Sequence, residues 1–425
     1  MAGAGVSRCS GRALADVSSS FGPTAEAAFE SIFGESATHL SRAPGRVNLI
    51  GEHTDYNDLP VFPMALQREV RIALRPREDG LVVVHNTNPV FPSVEFEIEP
   101  AIPPYVQGSW GNYAKAPASE LARRFAIWRG FEGVVSSDIP PAAGLSSSSA
   151  VVNAVGLALG HLNQVPAAVS DFAAIMADAE QYVGTRGGGM DQAISLGARD
   201  RCAAKITFNP VRLKHVAVPE DWCFIVADTG VRAEKSGAAM VAYNRRRSEC
   251  EEALRKVADY AATNHITEKF ASSYPDLLAA LDVGTLVDLG EQALKGDLLR
   301  RFRHVVTEAD RVEEAVDRLY SADVTGFGVL MDASHASLRT DYSVSSTELD
   351  ELVAVAREGG AAGARLTGAG FGGCIVALAD RRTVEGVLER LASEYFEPRN
   401  MADGIDDRLF VAVPSSGASF GPIDG

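Results

Sequence analysis

The chain has 425 residues, of which 46% are hydrophobic and 23% charged, and its formal net charge is −16. This length is enough for two domains with substantial cores. The negative charge argues against nucleic acid or an anionic membrane as the main partner, because both attract clustered lysine and arginine. No apolar run approaches the ~20 residues that span a bilayer, so we expect no membrane partner.

The five cysteines are scattered, odd in number and without CxxC spacing. This pattern is typical of free thiols in a reducing compartment and argues against a structural zinc site. Residues 1–20 are rich in Gly, Ala and Ser and lack the apolar block of a secretory signal. We therefore expect a flexible leader over residues 1–28 and a cytoplasmic protein.

Predicted strands and helices alternate in the first half of the chain. Alternating β-branched residues predict strands, and longer runs with one apolar side predict helices. The predicted elements in chain order are strands over 47–50, 68–75, 80–85 and 94–98, a helix over 111–128, a strand over 134–139, helices over 146–162 and 170–183, and strands over 203–208 and 224–227.

The second half of the chain is richer in helix. The predicted elements there are helices over 234–264, 275–281, 286–295, 306–320 and 346–358, and strands over 363–366, 373–379 and 409–413. The tail after Pro414 is expected to be frayed. Because strands and helices interleave without a strict βαβ rhythm, the pattern predicts an α+β protein of two domains, residues 29–215 and 216–425.

The most informative stretch is Gly51-Glu52-His53-Thr54-Asp55, which follows a short apolar segment. Burying two unpartnered carboxylates in a core strand would cost on the order of several kcal/mol each. A polar surface loop could carry them, but the apolar residues 59–66 follow at once and draw the cluster towards the interior. Carboxylates beside an imidazole can accept hydrogen bonds from hydroxyls, so we favour a site for a sugar or another polyol.

A second polar segment reads Pro140-Pro141-Ala142-Ala143-Gly144-Leu145-Ser146-Ser147-Ser148-Ser149. Glycine lets the backbone approach an anion, and a helix that begins in the serine run presents free N–H groups and the positive end of its dipole. One serine would suffice as an N-cap, so four predict a phosphate cradle in which hydroxyls can also bind Mg²⁺. The segment is not a Walker A loop, because GxxxxGK[ST] does not occur.

Asp191 follows three glycines, Gly187 to Gly189, and precedes an apolar run. The carboxylate could cap the helix that begins there. Equally, the glycines could bring a substrate close to a carboxylate that acts as a base. The residues alone leave both interpretations open.

Gly368, Gly370 and Gly373 formally spell GxGxxG, so a dinucleotide-binding dehydrogenase is a rival hypothesis. That fingerprint should open a helix after a strand, within an early βαβ unit. Here it leads into strand-like residues 374–378 near the end of the chain. We therefore interpret it as a turn between strands, close to a phosphate or a sugar or serving structure alone.

Together these segments resemble the galactokinases of the GHMP superfamily of small-molecule kinases. Three ordered motifs, residues 43–57, 141–148 and 366–373, carry a resemblance that extends from about residue 43 to 413. It implies a two-domain GHMP kinase fold with the active site between the domains. It also implies transfer of the γ-phosphoryl group of ATP to the C1 hydroxyl of galactose.

The resemblance implies a role for each matching residue. Asp191 would be the catalytic base, and Arg46 would stabilise the transferring charge and keep Asp191 ionised. The sugar would be bound by Glu52, His53, Thr54, Asp55, Gly188 and Tyr243. ATP would be bound by Gly144, Leu145, Ser146, Ser147 and Ser148. Mg²⁺ would be bound by Ser148 and Glu180, with Asp178 as a nearby alternative.

Partners and substrate follow from the same resemblance. We expect a small-molecule sugar and ATP as ligands, and a monomer or weak homodimer. Residues 184–191 are more similar to N-acetylgalactosamine kinases, so that sugar, or galacturonate or arabinose, is an alternative, whereas Tyr243 favours galactose. A non-catalytic sugar and ATP sensor on the same fold is less favoured, because Arg46 and Asp191 are both present.

Overall fold

The computed structural model describes residues 23–232, 238–267 and 270–423 of the chain. Its strands are β1 (His39–Asn48), β2 (Pro63–Pro76), β3 (Leu81–Asn86), β4 (Val94–Glu97), β5 (Phe131–Ser137), β6 (Cys202–Thr207), β7 (Arg212–Ala217), β8 (Trp222–Asp228), β9 (Gly363–Thr367), β10 (Cys374–Asp380), β11 (Leu409–Ala412) and β12 (Ser419–Pro422). Its α-helices are α1 (Ala25–Phe33), α2 (Gly111–Phe125), α3 (Ser147–Leu162), α4 (Val169–Glu180), α5 (Met190–Gly197), α6 (Ala238–Thr263), α7 (Tyr274–Ala280), α8 (Val283–Ala293), α9 (Gly296–Tyr320), α10 (Val324–Ser337), α11 (Thr347–Glu358) and α12 (Val384–Leu391).

The first half of the chain is built on a six-stranded sheet in the order β12-β1-β2-β5-β3-β4. Neighbouring strands are antiparallel except β3 and β5, which are parallel. Helix α3 packs on β1 and β2, and its small residues allow close neighbours. A Cβ on Gly156 of α3, for example, would lie 2.3 Å from the sulphur of Met176 on α4. The small-residue character of this helix is therefore a packing requirement.

The second half contains a four-stranded antiparallel sheet in the order β11-β8-β10-β9. Successive residues of a strand face opposite sides of its sheet. On β8, Phe224 and Val226 belong to the core of the first half, whereas Ile225 and Ala227 belong to the helical core of the second. The sheet is thus covered on both faces, and it joins the two halves into one packed body.

The predicted α+β class is confirmed, and every predicted strand and helix overlaps an observed one. Residues 234–237 of the predicted helix 234–264 lie outside the described residues. The sequence did not predict α1, α5, β7, α10, α12 and β12. Helix α10 was missed because Gly326 and Gly328 resemble turn signals. A Cβ on Gly328 would lie 2.0 Å from the carbonyl oxygen of Ala362, so this glycine lets α10 approach β9.

The tail after Pro414 is not frayed at residues 419–422, and that prediction is wrong. These residues form β12, which pairs with β1 from His39↔Pro422 to Arg42↔Ser419. The ring of Phe420 stacks between His39 and His161, with centroid distances of 5.3 and 4.9 Å. Residues from the second predicted domain therefore complete the sheet of the first. The predicted domain boundary at residue 215 stays a prediction.

The structure also bears on the predicted leader, on the cysteines and on membrane-spanning helices. Residues 1–22 of the predicted leader lie outside the described residues, and residues 25–28 belong to α1, which Thr24 caps through its hydroxyl. Cys202, Cys223, Cys250 and Cys374 are free, and Cys9 lies outside the described residues. Among the helices that the structure describes, none is long and apolar enough to cross a membrane.

Candidate active site

A cavity of about 810 Å³ brings together segments that lie far apart in the sequence. We call residues 49–58 the acidic loop, residues 140–148 the serine loop and residues 368–373 the glycine turn. All three line the cavity, together with residues 187–192 and the start of α6. The predicted site residues that line it are Arg46, Glu52, His53, Asp55, Gly144, Ser146, Ser147, Ser148, Glu180, Gly188, Asp191 and Tyr243.

Arg46 and Asp191 form an ion pair at the centre of this cavity. Arg46 Nε lies 2.7 Å from Asp191 Oδ1, and the exposed fractions of the two side chains are 5% and 15%. The β-bulge between Pro44 and Arg46 lies beside this pair, and bulges commonly re-aim a side chain. Burial lowers the pKa of Arg46, but Asp191 and Glu52 outweigh it and raise that pKa, so the guanidinium is charged.

The carboxylate of Asp191 does not cap its helix, so the capping interpretation of this residue is wrong. The N-cap of α5 is Gly189, with a φ of 100°. Instead, Asp191 Oδ2 accepts a hydrogen bond of 2.6 Å from Ser146 Oγ. Asp191 thus lies in the first turn of α5 and faces the serine loop and Arg46.

The serine loop is held by main-chain contacts. Arg46 Nη1 donates to the carbonyl of Gly144 over 2.5 Å, and the carbonyl of Leu145 accepts from the N–H of Arg46 over 3.1 Å. A Cβ on Gly368 of the glycine turn would lie 2.7 Å from the oxygen of Gly144. Both segments therefore need glycine where they meet. The strand–turn–strand setting of the glycine turn also excludes a Rossmann fingerprint there.

Helix α3 begins at this loop without a side-chain cap. Ser146, its N-cap residue, has a φ of 61° and makes no capping hydrogen bond. The first-turn N–H groups of an uncapped helix can bind an anion. The start of α3 therefore has the geometry that the phosphate-cradle prediction requires.

Glu180 lies beside this helix terminus and receives hydrogen bonds from neutral donors. Ser149 Oγ lies 3.1 Å from Glu180 Oε1, Ser148 Oγ lies 3.4 Å from it, and Gln192 Nε2 lies 2.5 Å from Oε2. Asp178, the alternative metal ligand, points elsewhere. Its carboxylate pairs with Arg124 at 2.6 Å, is 51% exposed and does not line the cavity, so Glu180 is favoured and the metal ligand stays a prediction.

The acidic loop is buried, and its histidine is already hydrogen-bonded. His53 Nε2 lies 3.2 Å from the carbonyl of Ala369, which can only accept, so this nitrogen carries the proton. Nδ1 then accepts from Tyr56 Oη at 2.8 Å. Burial lowers the pKa of His53 well below its usual value, so the ring is neutral. It faces the cavity with both nitrogens engaged.

Asp55 and Gly188 approach each other closely. Asp55 Oδ2 accepts from the N–H of Met190 over 3.4 Å. A Cβ on Gly188 would lie 2.2 Å from the nitrogen of Tyr56 and 2.6 Å from Asp55 Cγ. Burial and the nearby charge of Asp191 raise the pKa of Asp55 to about 6. The ring of Tyr243 closes this end of the cavity, 5.6 Å from the ring of His53.

Two predicted site residues do not line the cavity. The hydroxyl of Thr54 donates to the carbonyls of Gly51 and Pro60, each at 2.9 Å, and the residue is fully buried. The hydroxyl of Thr54 therefore closes the acidic loop and does not reach the cavity. The side chain of Leu145 lies in the hydrophobic core, so only its main chain can serve the serine loop. Neither side chain lines the cavity, and the binding roles of the two residues stay predictions.

Another part of the cavity wall was not predicted from the sequence. It is apolar and aromatic, and it is lined by Val70, Phe91, Trp110, Tyr113, Val135, Ile139 and Val151. These residues come from several strands and helices, and none stands in a motif. Isolated aromatic residues of this kind are more often core than site, so no sequence signal pointed to them.

Three family profiles match the chain in order. Residues 27–76 match the galactokinase galactose-binding signature, residues 112–198 the N-terminal domain of GHMP kinases, and residues 312–397 their C-terminal domain. The galactokinase of Chloroflexus aggregans is 38% identical over 376 residues, which are 88% of this chain and 92% of that protein. That of Chloroflexus aurantiacus is 37% identical over 374 residues, again 88% and 92% of the two chains.

Solved structures agree with these profiles. The Lactococcus lactis galactokinase complexed with galactose superposes with a TM-score of 0.81 at 30% identity, covering 93% of this chain and 98% of that one. The L. major mevalonate kinase in complex with R-mevalonate has a TM-score of 0.55 at 18% identity, covering 91% of this chain and 98% of that one. The latter likeness shows the fold alone.

Proposed function

Since the chain belongs to the galactokinase family of GHMP kinases, we propose that its cavity holds galactose at the acidic loop and ATP at the serine loop. The activity is that of an ATP-dependent sugar kinase. It transfers the γ-phosphoryl group of ATP to the C1 hydroxyl of galactose, giving galactose 1-phosphate and ADP. The observation that carries the choice of sugar is the galactose-binding signature over residues 27–76, which contains the acidic loop.

Asp191 is proposed as the base that accepts the proton of the C1 hydroxyl. Its carboxylate lies in the cavity wall, paired with Arg46 and hydrogen-bonded by Ser146. Phosphoryl transfer passes through a loose transition state, so positioning and charge stabilisation contribute more than proton abstraction. Arg46 supplies a fixed positive charge at that point, and its second contact to Gly144 ties this charge to the serine loop.

The sugar is proposed to lie between the acidic loop and Tyr243. Glu52 and Asp55 supply carboxylate oxygens that accept from hydroxyls, and Gly188 leaves room beside Asp55. Tyr243 offers an aromatic face, and His53 packs beside it with its nitrogens engaged. Polar groups that converge at one end of a cavity favour one orientation of a polyol.

ATP is proposed to extend from Asp191 to the apolar end of the cavity. The main chain of Gly144 and the start of α3, with Ser146, Ser147 and Ser148, line the path for the phosphates. The base would lie against the aromatic residues Phe91, Trp110 and Tyr113, where a planar ring can stack. The ribose then lies between these two regions.

Mg²⁺ is proposed to bind at Ser148 and Glu180. The donors are a carboxylate and a hydroxyl, which are the hard oxygen ligands that this ion prefers. Glu180 is 6% exposed, and within the described part of the chain its partners are neutral, so a cation would complement its charge. No group of three or more His, Cys, Asp or Glu residues in that part could hold a metal alone. Bound Mg²⁺ would neutralise phosphate charge, and triphosphate oxygens would complete its ligands.

The substrate is tested by ADP release with galactose, N-acetylgalactosamine, galacturonate, arabinose and mevalonate. We expect the highest kcat/KM with galactose. A preference for N-acetylgalactosamine would move the substrate to that sugar while leaving the kinase chemistry in place. If none of these compounds caused ADP release although a sugar bound, the result would instead favour a sensor.

Location and assembly complete the proposal. We propose a cytoplasmic protein, because the described cysteines are free thiols and the composition is that of a globular chain. We propose a monomer or a weak homodimer. Cell fractionation and sedimentation velocity test the two statements separately.

A further inference from the structure

Glu52 is held by the second half of the chain at each of its three polar groups. Its N–H donates to Glu308 Oε1 over 3.2 Å, and its carbonyl accepts from His304 Nε2 over 3.0 Å. Its carboxylate Oε2 lies 3.0 Å from Arg365 Nη2. These three partners stand behind Glu52 and do not belong to the residues that line the cavity. The orientation of Glu52 is therefore fixed from outside the site.

The contacts around Glu52 close into a ring. Ser334 Oγ donates to Glu308 Oε1 over 2.6 Å and accepts from Arg365 Nε over 3.1 Å. Because Arg365 also binds the carboxylate of Glu52, and Glu308 its N–H, each member contacts two others. Glu308, Ser334 and Arg365 are fully buried, and Glu52 is 3% exposed. Buried polar networks of this kind are rigid when every group is satisfied.

The charges in the ring have fixed signs. Burial alone would raise the pKa of Glu308, but Arg311, His304 and Arg365 outweigh it and hold that pKa well below its usual range. Burial lowers the pKa of His304 to about 4, so the imidazole of His304 is neutral. Its Nε2–H donates to the carbonyl of Glu52. An anion on α9 therefore receives the consecutive N–H groups of Gly51 and Glu52.

We propose that Glu308 and Ser334 are positioning residues for sugar recognition, which orient the carboxylate of Glu52 without touching the sugar. This inference rests on the proposed function, in which Glu52 binds galactose. Helices α9 and α10 thereby control the affinity of a loop that lies some 250 residues earlier in the chain. Affinity for ATP does not depend on this ring, because the serine loop has no part in it.

The test compares two buried serines. Ser334→Ala removes one link of the ring with little change in volume. Ser41→Ala is the matched control, because Ser41 is also fully buried and its hydroxyl donates one hydrogen bond, over 2.7 Å, to the carbonyl of Ala154. Galactose binding by calorimetry, the KM values for galactose and ATP, and kcat are measured for both variants and the unaltered chain.

Ser334→Ala is expected to weaken galactose binding about 5- to 20-fold, because both buried hydrogen bonds of the Ser334 hydroxyl are lost. The KM for ATP and kcat should stay within about twofold, and Ser41→Ala should leave all three parameters unchanged within the same limit. In a Glu52→Gln background the effect of Ser334→Ala should largely disappear, because the positioned charge is gone. Glu308→Gln should weaken galactose binding in the same selective way, and it serves as the second variant if Ser334→Ala fails to fold.

Three results separate the possible failures. If the unaltered chain neither binds nor phosphorylates galactose, the proposed function is wrong. If it does, and Ser334→Ala and Glu308→Gln bind galactose as tightly as Ser41→Ala does, the positioning role is wrong while the function stands. An equal loss for galactose and ATP would also overturn the positioning role, because it indicates general loosening of the structure.

Discussion

The acidic loop and the serine loop line one cavity but are built in different ways. Apart from Asp58, residues 49–58 are buried, and side chains of α9 and β9 hold them. In the serine loop Pro141 and Ala142 are exposed, and its contacts run largely through main-chain carbonyls. The difference indicates a rigid, preformed site for the proposed sugar and a more open site for the proposed phosphates. A neutral sugar offers only directional hydroxyls, whereas a polyanion and its cation attract over longer distances.

The largest expected effect lies where the two loops meet. Asp191→Asn should lower kcat by about 10²- to 10⁴-fold, because it removes the proposed general base. Galactose affinity should change only a few-fold, since the acidic loop is untouched. An ADP-release assay and calorimetry measure the two quantities. Asp178→Asn is the control, because Asp178 is exposed and pairs with Arg124, so it should retain normal turnover.

The next-largest effect concerns the negative charge of Asp55 in the acidic loop. The pKa of Asp55 is raised from 3.8 to about 6, and each unit corresponds to ~1.4 kcal/mol. Because the folded-state pKa exceeds the unfolded one, ionised Asp55 lowers stability above pH 6, and this penalty vanishes below about pH 4. Asp55→Asn should therefore be more stable than the unaltered chain by up to ~3 kcal/mol at pH 7.

Urea unfolding at pH 4 and pH 7.5 measures this difference, and galactose binding at pH 7.5 should be weaker in the variant. If the free energies of unfolding of Asp55→Asn and the unaltered chain differed by the same amount at both pH values, the raised pKa of Asp55 would be contradicted. In the unaltered chain, kcat/KM for galactose should rise with pH up to about 6 as Asp55 ionises.

A smaller effect probes the fit between the acidic loop and the glycines before α5. Gly188→Ala should raise the KM for galactose by about tenfold, because the new methyl group would overlap Asp55 and Tyr56. Gly187→Ala is the matched control, since a Cβ there meets nothing within 4 Å. Steady-state kinetics with both substrates compare the two variants. A similar KM for galactose in the two variants would show that the acidic loop can move to accommodate the added methyl group.

The smallest expected effect concerns one residue in each loop that has a left-handed backbone conformation. Ala142 and His53 have φ values of 57° and 62°, a region that costs an L-residue about 1–2 kcal/mol. Ala142→Gly should relieve this strain and stabilise the chain by less than ~1 kcal/mol, because glycine also loses more entropy on folding. His53→Gly should destabilise it, because two buried hydrogen bonds are lost. Thermal unfolding of both variants decides, and a gain in stability for His53→Gly would refute the rigid description of the acidic loop.

The sequence predicted most of the regular elements and the motif residues that converge on the cavity, since periodicity and short motifs carry that information locally. Arg46 and Asp191 could be paired only through the family resemblance, because nothing local joins positions that far apart. Thr54 and Leu145 were included because they stand inside motifs, although their side chains serve the loop and the core. The partners of Glu52, namely His304, Glu308 and Arg365, were not assigned, since a buried polar contact across 250 residues has no local pattern.

Strand β12 has a consequence for how the chain matures. Residues 419–422 supply the outer strand beside β1, so the first sheet is incomplete until these residues have left the ribosome. Before that moment β1 presents an unpaired edge, which is a template for association between nascent chains. Expression of residues 1–215 alone would leave this edge permanently open. A separately supplied peptide of residues 409–423 is therefore a rational additive for rescuing such a fragment.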